Sequence, residues 1–137
     1  MTRTNTTTGA RGDLDVFEYA LLRVVPHVER GELINAGVLV YCRARSFLAA
    51  RTHLDEDRLY ALDPCADVRG VRAALRAVEN VCDGGVRAGQ AAGDDAGRRF
   101  RWLVAPRSTV VQPGPVHTGL TADPEAESER LLDLLVR

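Results

Sequence analysis

The sequence predicts an α+β fold: an antiparallel or mixed sheet of about five strands with helices packed mainly on one face. Three observations lead there. Two strand-length apolar runs, residues 17–25 and 34–42, flank a short polar turn. A stripe of apolar residues at helical spacing occupies the middle of the chain, and a capped helical pattern closes it. Residues 17–25 are nearly all apolar, as in a strand covered on both faces, and Pro26 ends the run. Residues 34–42 are rich in Val, Ile and Tyr, which favour strands. The turn Glu29-Arg30-Gly31-Glu32 makes the pair an antiparallel hairpin. Gly37, inside the second strand, predicts a bulge or a close backbone approach. A third strand is expected from Phe47 to His53.

The middle reads as helix. A short one is expected over Asp55 to Leu62, then a longer one with Asp63 as N-cap and Pro64 at its first position. Val68, Val71, Leu75, Val78 and Cys82 form its buried stripe, and Gly84-Gly85 end it. Arg69, Arg72 and Arg76 lie on its other side, as a solvated face or a docking surface for an acidic partner. Residues 83–97, rich in Gly, Ala and Asp, predict a mobile loop. Arg99 to Ala105 alternates and predicts a strand with Phe100, Trp102 and Val104 on one face. Thr109 to Gln112 reads as a further strand, and Pro113-Gly114-Pro115 as a rigid turn. Asp123-Pro124 caps a last helix, with Glu125 and Glu127 in its first turn and Leu131, Leu134 and Leu135 as its buried stripe. Residues 1–14, Thr-rich and without periodicity, are expected to be a disordered tail, and 15–137 a single domain.

Composition narrows the function. The formal net charge is −1, so no whole-protein field draws in nucleic acid or acidic lipid. All 18 basic residues are arginine, the mark of a high-GC bacterial genome of actinobacterial type. Cys42, Cys65 and Cys82 are odd in number and far apart, so disulfide and zinc frameworks are not expected, and each reads as a small buried residue. No leader or membrane-length apolar run is evident, which predicts a cytoplasmic protein without membrane contact. His27, His53 and His117 are too scattered to predict a metal site, and no cofactor is expected. The P-loop, dinucleotide, zinc-protease, esterase and kinase signatures are all missing.

Two polar segments stand out. The first, residues 30–37, gathers Arg30, Glu32 and Asn35 around the hairpin turn. The second, residues 105–119, offers Arg107, Ser108, Thr109, Gln112, His117 and Thr118. An arginine beside hydroxyls and backbone N–H groups suits a phosphate or carboxylate. Arg30, Glu32, Asn35, Arg107, Ser108 and His117 are expected to line one concave surface, with Thr109 and Thr118 beside them.

The run Arg30-Gly31-Glu32 with Asn35, Gly37 and Val38 resembles the opening hairpin of a bacterial family, domain of unknown function 3037. The stretch from Phe100 to Thr109, followed by Gln112, Pro115, His117, Thr118 and Gly119, resembles its second block. The resemblance implies a small stand-alone protein with an accessory role beside a HipA-like kinase. Residues and resemblance together predict a binding module for an anionic ligand or an acidic protein segment. The alternative is an enzyme acting on a phosphorylated or nucleotide-like substrate. There Arg30 and Arg107 hold the anion, Glu32 or His117 acts as general acid or base, and Ser108 or Thr109 orients the substrate. A third reading is a purely structural subunit.

Overall fold

The structure is a computed structural model, and it describes residues 13–84 and 95–137. Most of the expected tail (1–14) and of the expected glycine-rich loop (83–97) therefore lies outside the described residues. Within them the chain forms β1 (Asp15–Val24), β2 (Ile34–Cys42), β3 (Phe47–Thr52), α1 (Glu56–Leu62), α2 (Val68–Asp83), α3 (Ala96–Leu103), β4 (Val111–Pro113), β5 (His117–Thr121) and α4 (Pro124–Leu135). The five strands make one open antiparallel sheet. β3 and β2 lie on one side of β1; on its other side β5 pairs with the first half of β1 and β4 with the second.

The hairpin of β1 and β2 forms as its sequence predicts, with a bulge. Leu22 faces Gly37 but Arg23 faces Asn35, so Ala36 is the extra residue. Gly37 sits where β3 comes closest. A Cβ there would stand 2.8 Å from the Arg51 carbonyl oxygen.

Side chains alternate across the sheet, and each face has its own core. Leu22, Val24, Leu39 and Ala50 meet Leu59, Val71, Leu75, Phe100 and Leu103 from α1, α2 and α3. Phe17, Val38, Val40 and Cys42 meet Leu131, Leu132 and Val136, which belong to α4 and the residue after it. Three of the four described helices thus share one face and α4 covers the other. On α2, Arg69, Arg72 and Arg76 are exposed, and Arg72 pairs with Glu56. No helix among the described residues is long and apolar enough to cross a membrane.

Three local expectations need correction, and one strand comes in addition. Asp63 closes α1 rather than opening α2, because its carboxylate accepts from the Cys65 N–H at 2.9 Å and makes a turn; Asp67 caps α2 instead, accepting from the Gly70 N–H at 3.0 Å. Residues 96–103 are helix, not strand. Asp95 caps them through the Arg98 N–H, and the buried pair is Phe100 and Leu103, three apart, while Trp102 points outward. On α4, Leu132 takes the place expected of Leu134, which is exposed, because the face turned to the sheet carries Ser128, Leu131, Leu132 and Leu135. β5 is a strand that was not expected, its threonines notwithstanding; β1 offers it a five-residue ladder.

Cys42 and Cys82 are buried as expected, whereas Cys65 is exposed in the turn after α1. Burial pushes the Cys82 thiol up to about 12, with the nearby Asp83 charge adding to it. A thiol-specific chromogenic disulfide reagent on the native protein at pH 8 should therefore titrate one fast thiol, lost in Cys65→Ser. Two or three fast thiols would contradict this packing.

Candidate functional site

The two polar segments flank the same half of β1. β2 begins on one side of it with Ile34 and Asn35, and β4 lies on the other with Val111, Gln112 and Pro113. The register places Asn35 and Gln112 directly opposite Arg23, one on each side. Residues directly opposite one another share a sheet face. The result is a half-buried polar row, Asn35–Arg23–Gln112, running across three strands.

This row lies on the face covered by α4, beyond the apolar core of that face. The Asn35 side-chain amide donates to the Leu135 carbonyl at 3.2 Å, at the carboxyl end of α4. The Gln112 amide donates to the Thr109 carbonyl at 2.7 Å. Both side chains are thereby held in place. Gly114, whose N–H donates to the Leu21 carbonyl at 2.8 Å, lies flat against the arginine. A Cβ on Gly114 would come within 3.1 Å of Arg23 Cζ, so glycine is what lets the loop pass there.

Arg23 is the unusual member. Its Nε is buried and has no hydrogen-bond partner among the described residues, and no carboxylate pairs with its guanidinium. The carboxyl end of α4 favours a cation nearby but supplies no acceptor to Nε. A buried donor on a charged group, left unmade, is costly. The arrangement can accept an anionic oxygen: a guanidinium with an unused donor, between two oriented carboxamides.

The other expected site residues fall elsewhere. Arg30 and Glu32 pair with each other at 2.8 Å in the exposed turn. The hydrogen bond from Arg30, reinforced by its charge, holds the Glu32 carboxyl below the usual range, away from what a general base near neutral pH needs. Arg107 folds back on α3: its Nη2 donates to the Trp102 carbonyl and its Nε to that of Ala105, and the guanidinium lies 5.0 Å from the Trp102 ring centre. It closes the carboxyl end of α3, where a cation is favoured. Ser108 is exposed, and the Thr109 hydroxyl donates to the Val111 carbonyl at 2.8 Å. His117 and Thr118 lie opposite Tyr19 and Glu18, and the His117 ring packs against Tyr19, 5.3 Å between centres. Tyr19 is four residues from Arg23 along β1, about 13 Å at the rise of a strand.

The structure therefore joins Asn35 to Gln112 through Arg23, and does not gather Arg30, Glu32, Arg107, Ser108 and His117 into the same row. Arg23 was the residue missing from the sequence reading. Its signal was present: it is the only charged side chain between Tyr19 and Val25. Among the described residues no group of three or more His, Cys, Asp and Glu side chains could hold a metal ion.

A family model matches residues 19–136, spanning Arg23 and both polar segments; its description is "Protein of unknown function (DUF3037)". No curated protein and no solved structure matches the chain.

Proposed function

We propose that this chain, which belongs to the DUF3037 family, is a binding module that takes an anionic group, phosphate or carboxylate, at the Asn35–Arg23–Gln112 row. The observation that carries the reading is the buried, unpartnered Nε of Arg23. An anion there supplies the acceptor that the fold withholds, and the two carboxamides beside it set its orientation. In this reading the module serves a larger partner, and a HipA-like kinase is the partner that the family resemblance implies. The reading of an enzyme on a phosphorylated or nucleotide-like substrate gains less support, since Glu32 is tied to Arg30 and His117 rests on Tyr19.

The test is a melting curve in sodium phosphate against sodium chloride at matched ionic strength. Stabilisation by a bound ligand grows as RT ln(1 + [L]/Kd), about 2.7 kcal/mol at a hundred times Kd. The wild-type melting temperature should rise with phosphate, and Arg23→Gln should abolish the rise. Acetate in place of phosphate tells which anion the site prefers. Equal curves in phosphate, acetate and chloride, or an undiminished rise in Arg23→Gln, would overturn the proposal.

A further inference from the structure

At the other end of β1, on the opposite face of the sheet, α3 stops short and leaves a groove. Val16, Glu18 and Tyr41 form its floor, with the first turn of α3 on one wall and the turn after β2 on the other. Its volume is about 1240 Å³, larger than the ~300–1,000 Å³ of small-molecule pockets and suited to a length of chain.

Its charges are unevenly used. Glu18 is held by Arg101 through two bonds, at 2.7 and 3.3 Å. Asp15 is held by Arg45 at 2.8 Å, and the Asp95 carboxylate caps α3. Arg43 and Arg98 line the groove and are exposed, and neither guanidinium has an acceptor among the described residues. The acids of the groove are thus occupied, and two of its cations have no partner among the described residues.

An apolar strip continues from the floor. Val16 and Leu120 are cross-strand partners on that same face, and they are 60% and 61% exposed. Two exposed apolar side chains side by side, next to charge, suit a single apolar anchor of a partner.

We infer that this groove docks an extended acidic segment of a partner protein, its carboxylates on Arg43 and Arg98 and an apolar side chain over Val16 and Leu120. The rest of this chain is a poor occupant by charge: residues 1–12 and 85–94 carry three arginines and one aspartate. The inference is independent of the Arg23 row, which lies on the other face.

The test uses the full chain and a fluorescein-labelled decapeptide of alternating Glu and Leu, read by anisotropy. A peptide of alternating Lys and Leu and a ten-nucleotide single-stranded RNA are the comparison probes. The acidic peptide should bind, weaken at least tenfold with Arg43→Glu/Arg98→Glu, and be unaffected by Arg69→Glu/Arg76→Glu on α2. Val16→Asp should weaken it as well, and melting curves should show all variants folded. Absence of binding, equal loss in the α2 variant, or preference for the basic peptide or the RNA would overturn the inference. So would tighter acidic-peptide binding after deletion of residues 1–12, or a concentration-dependent dimer that Arg98→Glu dissociates, since either gives the groove an occupant from this chain.

Discussion

Phe100→Ala should cost about 3–5 kcal/mol of stability, whereas Trp102→Ala should cost less than about 1 kcal/mol. Phe100 is fully buried and stacks on Tyr41 of the sheet, 5.1 Å between ring centres. Removing its ring leaves a cavity between α3 and β2 that the rigid sheet cannot fill. Trp102 is 53% exposed, with the Arg107 guanidinium over its ring. Urea denaturation of the two variants reads the difference. The pair also discriminates the two conformations of this segment: in an alternating strand both aromatics would share one buried face, and the losses would be alike.

Gly37→Ala should cost about 1–3 kcal/mol for a single added methyl group. The new carbon would meet the Arg51 carbonyl oxygen at 2.8 Å and the Leu22 and Thr52 side chains at 3.2 Å. The first of these is backbone, on a residue paired in the ladder opposite Val38, so relief requires moving β3 as a whole. Hydrogen exchange should show faster opening of β2 and β3 with less change in β5, which pairs with the far edge of β1, and a urea midpoint equal to that of the wild type would contradict the packing. The bland comparison is the hairpin turn: a Cβ on Gly31 meets nothing within 4 Å, and only its positive φ of 71° resists alanine.

These two positions show where the sequence was and was not legible. Gly37 announced itself, because a glycine amid Val, Ile and Tyr has few reasons to be there other than close approach. The hairpin, the stripe of α2 and the Asp123-Pro124 cap were equally plain, since each depends on short-range chemistry. The α3 segment misled because Arg99, Phe100, Arg101, Trp102 and Leu103 satisfy a period of two as well as a period of three to four. What decides is the Asp95 cap and the burial of Leu103, and the latter depends on tertiary packing. β5 carried a weak local signal: Thr118 and Thr121 favour strand, but Gly119 opposes it, and the segment pairs along an edge of β1.

The candidate site was half legible for a related reason. Asn35 and Gln112 were visible as polar residues in suspicious places. Their meeting point was hidden inside what read as an apolar strand, and only the register reveals that Arg23 lies between them. Arg107, by contrast, had every chemical credential of an anion binder and spends its donors on two carbonyls of its own segment.

The split pairing of β1 also governs how this chain is made. β1 is complete once residue 24 has left the ribosome, and β2 can pair with it almost at once. Its other edge must wait for residues 111–121, and the face beneath it waits for α4. At synthesis rates of about 5–20 residues per second, that interval lasts about 5–20 s. Throughout it the nascent hairpin presents an unpaired edge and bare Phe17, Val38 and Val40, the surface that chaperones hold and that neighbouring nascent chains can capture. The last fifth of the chain thus acts as an internal cover for the first, and a chain cut short before residue 111 keeps that edge and that face of the hairpin bare.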